Sequence, residues 1–221
     1  MKMLSQNISV LNLKAIIRVA ILLVYAFFCY LMLQITLQYI PVHTDVAFLR
    51  IKQDYISMQH YKYAFFIHAY TAILALPAGF TQFFLFIRNK FPWIHTVTGY
   101  IYVSTILLFA APSGFIIGIY ANGGLYAQIA FLLLAILWFW FTLRAVLSIR
   151  KRNIVAHKQW MIRSFALTLS AITLRAWKYI IVALFHPRPM DVYQIVAWLG
   201  WVLNLILAEI LIYYIYKKDI K

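Results

Sequence analysis

Long apolar stretches broken by short polar turns run the length of the chain. Crossing about 30 Å of hydrocarbon takes about 20 helical residues. Six stretches are long enough, at roughly 15–40, 62–88, 95–120, 125–149, 158–185 and 192–216. The breaks carry turn chemistry: "RNKFPW" (88–93) closes the second stretch, "YANGGLY" (120–126) separates the third from the fourth, and "HPRPMD" (186–191) the fifth from the sixth. Such short links make consecutive helices antiparallel neighbours. The runs are continuous and lack two-residue alternation, which argues against a β-barrel. The pattern predicts an all-α fold, a polytopic bundle of six transmembrane helices forming one transmembrane domain over 1–221.

One link is longer. Residues 41–61 carry His43, Asp45, Asp54 and His60, and Phe48, Ile51 and Tyr55 fall at helical spacing. A short interfacial helix is expected there, lying in the membrane surface. Two spans are interrupted. Pro77 and Gly79 sit midway along the second and "APSG" (111–114) along the third. Proline frees a carbonyl that neighbouring polar groups or water must satisfy, so such breaks border cavities; small residues equally serve close helix packing.

Composition supports the pattern. Of 221 residues, 65% are hydrophobic and 11% charged, against about half and a quarter in soluble domains. A net charge of +15 would suggest nucleic acid in a soluble chain. Here the cations flank apolar segments and form no separate basic stripe, so no nucleic acid is expected. They orient the bundle instead. Lys2, Lys14, Arg18, Arg88, Lys90, Arg144, Arg150, Lys151, Arg152, Lys158, Arg163, Lys217, Lys218 and Lys221 fall on one side, and Arg50, Lys52, Lys62 and Arg188 on the other. Both termini are therefore expected in the cytoplasm. Lys14 and Arg18 precede an apolar run with no small-residue cleavage site after it, as in a retained signal anchor. Cys29 is the lone cysteine, which leaves no internal disulfide.

Ionisable groups inside a span are costly and mark functional candidates. The fifth span is richest. Arg175 lies about five turns beyond His157 on the same face, and Ser164 and Thr168 fall close to that line. The four form a polar stripe, with Lys178 a turn nearer the outside. Glu209, in the sixth span, lies near the depth of Thr168, about 10 Å from that of Arg175 by helical rise. Its nearer partner is Arg163, giving a candidate buried ion pair. Arg175 is left with Asn204, with carbonyls freed by the helix breaks, or with an anionic ligand.

Histidine is the second theme. His95 and His157 open the third and fifth spans at one depth, as bis-imidazole ligation of a haem requires. His68 lies in the outer half of the second span. His60 and His68 are too close along one helix to ligate one iron together. No Cys, Asp or Glu accompanies these histidines, so no metal set is assigned. The competing reading is of interfacial histidines that cap helices or face headgroups. Trp177, Tyr179, Trp198, Trp201 and "LWFWF" (137–141) fit an aromatic belt or packing, or the wall of a quinone or porphyrin pocket. Walker, dinucleotide, H-E-x-x-H and G-x-S-x-G motifs are all missing.

His68, "FPWIHTVTGYIY" (91–102) and "HKQWMIRSFALTLSAITLR" (157–175) together resemble a bacterial family of predicted multi-pass membrane proteins, domain of unknown function 2306. The resemblance covers roughly residues 60–216. It implies a multi-pass membrane protein and leaves activity open; the bundle is expected in the bacterial cytoplasmic (inner) membrane. The family's third-helix entry pairs histidine with arginine, followed by Gly and Tyr. Here His95 and Gly99 match, and Thr96 stands in place of the arginine.

Three functions remain open. The first is a haem-binding (haem b) or redox protein using His95, His157 or His68, with Arg175 or Lys178 meeting propionates, a quinone or a small anion. The second is a transporter or permease lined by the polar stripe. The third is a membrane assembly or scaffold protein that touches only lipids and a protein partner. Oxidoreductase activity is expected only with the first.

Overall fold

The computed structural model describes residues 2–217, and among these the regular structure is helical throughout. Six helices are long and apolar enough to cross a membrane. They are α1 (Lys2–Leu37), α2 (Gln59–Thr81), α3 (Pro92–Ile119), α4 (Gly124–Arg150), α5 (Ile154–Phe185) and α6 (Met190–Tyr216). The end bearing the 38–58 link is termed the connector end, and the opposite one, with Arg88, Lys90 and Arg150, the basic end. Lys218 and Lys221, used above to orient the chain, lie outside the described residues, as do the side chains of Lys2, Lys14 and Arg18.

Helices α2 to α6 pack together, while α1 leans chiefly on α2 and the second half of α5. Only 6% of α1's apolar window is buried, against 39% for α2 and α3, so α1 lies on the flank with most of its surface toward lipid. Lipid tails are as apolar as leucine, and close backbone approach rather than the hydrophobic effect must hold helices together. The buried positions fit that logic: Ala75, Ala110, Ala127, Ala130, Ala145 and Ala197 are all fully buried, whereas Leu, Ile and Phe crowd the exterior. Gly79 of α2 is the tightest case. A Cβ there would stand 2.6 Å from the Tyr102 ring and 2.7 Å from Phe165.

The second span is shorter than its hydropathy suggests. It stops at Thr81, extended backbone at Phe84 follows, and Leu85–Lys90 forms a separate short helix. Gln82 helps fix the break by donating to Thr98 Oγ1 at 2.7 Å and to the His95 carbonyl at 3.2 Å.

An interruption appears at one of the two foretold prolines, and another where no proline stands. Helix α3 changes from α (Pro92–Ser104) to a π segment (Thr105–Ala110) and back (Ala111–Ile119). Pro112 has no N–H to donate and its ring crowds the turn before it; the wider π turn takes up that demand, with the Ala111 N–H reaching the Ile106 carbonyl. Pro77 is carried within α2 without dividing it. Helix α5 breaks at Leu169 into Ile154–Thr168 and Ser170–Phe185, with no proline or glycine to announce it.

The connector is helical, but its buried face differs from the expected one. It forms a 3-10 segment (Ala47–Ile51) and one α turn (Gln53–Ile56). Phe48 and Ile51 are 36% and 54% exposed, while Leu49, Lys52 and Ile56 are 0%, 2% and 8% exposed. Tight 3-10 winding puts residues i and i+3 in line, which turns Leu49 and Lys52 inward. The segment is folded onto the bundle end by Tyr39, Phe65 and Tyr61; it does not lie free on a membrane surface.

Candidate functional site

A cavity of about 560 Å³ opens inside the connector end, lined by residues of all six helices and the connector. That is in the range of ordinary ligand and cofactor pockets, about 300–1,000 Å³. Its deep wall is apolar, with Leu76, Ala72, Leu134, Trp138 and Leu167. Its charged lining is cationic: Lys52, Arg175 and Lys178 face it beside His68 and several hydroxyl and amide side chains, and among the described residues no Asp, Glu or Cys does.

Each of these groups is held by a different element. Arg175 sits on α5 about 15 Å from the connector end of that helix by rise. It donates to the carbonyl of Ala171 in its own helix at 2.6 Å. Asn204 does not serve it: that amide donates to Ala166 O, Thr173 Oγ1 and Gly200 O. Among the described residues Arg175 has no acidic partner, and it lines the cavity. Lys178 stands one turn outward, 5.0 Å above the Tyr193 ring. Lys52 comes from the connector, donates to the Tyr120 carbonyl at the end of α3 and lies 5.0 Å from the Tyr55 ring. Burial pushes its ammonium below the ordinary lysine range. Tyr39 closes the rim at 4% exposure. Burial raises its phenol above the ordinary range, against the opposing pull of the Phe48 N–H and the Arg175 charge.

His68 reaches in from α2. Its Nδ1 is 2.8 Å from the carbonyl of Ala110, the last residue of the π segment. A carbonyl only accepts, so the proton is on Nδ1 and the neutral ring keeps a lone pair on Nε2. Gly114 gives the ring room: a Cβ there would stand 3.1 Å from His68 Cε1.

Below the cavity the stripe of α5 meets α3 and α4. The Tyr102 hydroxyl lies 2.8 Å from both Ser164 Oγ and Thr168 Oγ1, Trp138 Nε1 donates to Thr168 Oγ1 at 3.0 Å, and Thr142 Oγ1 lies 2.7 Å from Ser164 Oγ. Tyr102, Thr142 and Ser164 are fully buried and Thr168 is 4% exposed. A buried network this well satisfied stiffens and specifies the packing. Two of its members, Trp138 and Thr168, also line the cavity.

At the basic end His157 Nδ1 donates to the Ala145 carbonyl at 2.9 Å. The Nδ1 of His95 is buried and has no hydrogen-bond partner among the described residues. Neither lines the cavity. Among the described residues no three His, Cys, Asp or Glu side chains gather into a metal site. Arg163 and Glu209 pair bidentately at 2.6 and 2.8 Å, with Trp160 4.7 Å beneath the guanidinium. Their side chains are 18% and 48% exposed, so this pair lies at the bundle surface and not in its interior.

The structure thus brings His68, Thr168, Arg175 and Lys178 to one cavity and leaves His95, His157, Arg163 and Glu209 outside it. It adds Lys52, which had been counted only as an orientation charge. It also adds Tyr102 and Thr142, whose hydroxyls look ordinary in apolar helices. The signal for Lys52 was its place three residues after Leu49, which lines the two up where the backbone winds as a 3-10 turn.

Fold and site together define a polytopic helical membrane protein with an acid-free cationic cavity at one end. Residues 65–212 match the family described as "Predicted membrane protein (DUF2306)", and the chain belongs to that family. His68, Thr168, Arg175 and Lys178 fall within the matched region, while Lys52 and α1 precede it. No curated protein matches the chain, and no solved structure does.

Proposed function

We propose that this protein binds an anionic amphiphile, with the acidic group among Lys52, Arg175 and Lys178 and the apolar body against Leu76, Leu134 and Trp138. One observation carries the reading: three cations and a histidine line a single cavity that, among the described residues, holds no carboxylate. Removing a charge from water costs several kcal/mol per ion unless a counter-charge is near, and in this chain the counter-charge is the ligand. The cytoplasmic-membrane location and cytoplasmic termini expected from the sequence place the cavity mouth on the outer face.

Transport is a second reading, favoured by the broken helices. Both α3, with its π segment, and α5, with its break at Leu169, line the cavity near mid-membrane, as in carriers that bind substrate at interrupted helices. The Tyr102 network then forms the closed gate toward the basic end.

Binding of palmitate to the protein purified in neutral detergent tests the first reading. Arg175→Ala and Lys178→Ala are each expected to weaken binding by about tenfold, about 1.4 kcal/mol, with the helix content unchanged. Absence of palmitate binding, or binding indifferent to both substitutions, overturns it.

A further inference from the structure

We infer that the cavity's ligand is an iron porphyrin carried on His68, an assignment that rests on the anionic-amphiphile reading above and specifies it. His68 has the hydrogen-bonded geometry a metal-bearing imidazole needs; His157 shares it with Ala145 O, but only His68 lines the cavity. Metal-ligating histidines donate their second ring N–H to a carbonyl or carboxylate, which fixes the tautomer and aims the other nitrogen. His68 Nδ1 does this with Ala110 O at 2.8 Å, and its Nε2 makes no hydrogen bond among the described residues. The acceptor belongs to the π segment, so the irregular winding of α3 and the orientation of the ring form one device.

The rest of the lining decides what kind of metal species fits. With no Cys, Asp or Glu and no second His on the cavity wall, a bare ion would have a single protein donor. A metal bound by one imidazole must bring its own equatorial donors, which is what a macrocycle does. The macrocycle must also be largely apolar, to suit Leu76, Leu134, Trp138 and Leu167, and must carry acidic substituents for Arg175, Lys178 and Lys52. A porphyrin with propionate side chains has all of these properties. The same cavity offers His95 and His157 no part, so one axial protein ligand is expected.

Titrating hemin and metal-free protoporphyrin IX into the purified full-length protein separates the contributions. Hemin is expected to give a sharpened, shifted Soret band and to bind at least tenfold more tightly than the metal-free porphyrin. His68→Ala should abolish the shifted band and reduce hemin affinity to the metal-free level, and added imidazole should restore the band. His68→Gln keeps a donor for Ala110 O and so serves where His68→Ala folds poorly; it should show the same loss of the shifted band. Arg175→Ala should weaken both porphyrins equally and leave the band position unchanged. A band that survives His68→Ala and His68→Gln, or that is lost instead in His95→Ala or His157→Ala, overturns the inference. So does equal affinity for the two porphyrins. If palmitate binding still depends on Arg175 in that case, only the porphyrin assignment falls; if no anionic ligand binds, the wider reading falls with it.

Discussion

Lys52 shows most directly what one residue contributes. At 2% exposure and with only a carbonyl and two ring faces around its ammonium, it is held in a place that favours its neutral form. Its pKa is lowered on folding. Between that lowered value and the ordinary lysine value of about 10.4, the unfolded chain binds more protons than the folded one. Stability without ligand must therefore rise with pH across this window and level off above it. Thermal unfolding in detergent from neutral to alkaline pH should show the rise, and Lys52→Met should remove it. An unchanged slope in Lys52→Met would assign the pH response to another group. An acidic ligand reverses the preference, since an anion beside Lys52 stabilises the ammonium.

At the scale of elements, small residues and helix irregularities set the cavity's shape. Gly79 lets α2 approach α3 and α5 closely enough for Tyr102 to reach Ser164 and Thr168. Gly79→Ala would insert a carbon 2.6 Å from the Tyr102 ring. Overpacking of this kind costs about 1–3 kcal/mol, and a fall in melting temperature in detergent is the expected reading. An unaltered melting temperature would mean that Tyr102 and Phe165 can swing aside. Pro112 pointed to a break in α3, and the break was found. That it would be a π segment lending its last carbonyl to His68 depended on where α2 comes to rest. The break at Leu169 carries no sequence signal, because both flanking segments are good apolar helix. The two halves differ in their main neighbours: the first packs chiefly on α4 and also on α6, the second chiefly on α6.

At the scale of the molecule, six spans require both ends of the bundle's chain to emerge on one side. The cation distribution predicts that this side is the cytoplasm. Single-cysteine variants on a Cys29→Ala background test it. His60→Cys at the connector end should react with an impermeant maleimide in intact cells, and Lys151→Cys at the basic end only after permeabilisation. The reverse pattern would put the cavity mouth in the cytoplasm and change which ligands reach it.

The sequence by itself determined the six helices, their order and antiparallel sense, the family and the polar residues worth following. Hydropathy and turn chemistry are local properties, and a span of about 20 apolar residues has few alternatives. It also carried the pairing of Arg163 with Glu209, because depth along a helix is simple arithmetic; that the pair would sit at the surface depended on rotation about the helix axis. Only the tertiary structure decided which polar groups meet. His95 and His157 share a depth yet lie outside the cavity, whereas His68, Arg175 and Lys52 come from three separate segments and converge on it. Sequence spacing fixes where a side chain stands along its own helix; which neighbour it faces is set by close contacts such as Gly79 against Tyr102 and Gly114 against His68.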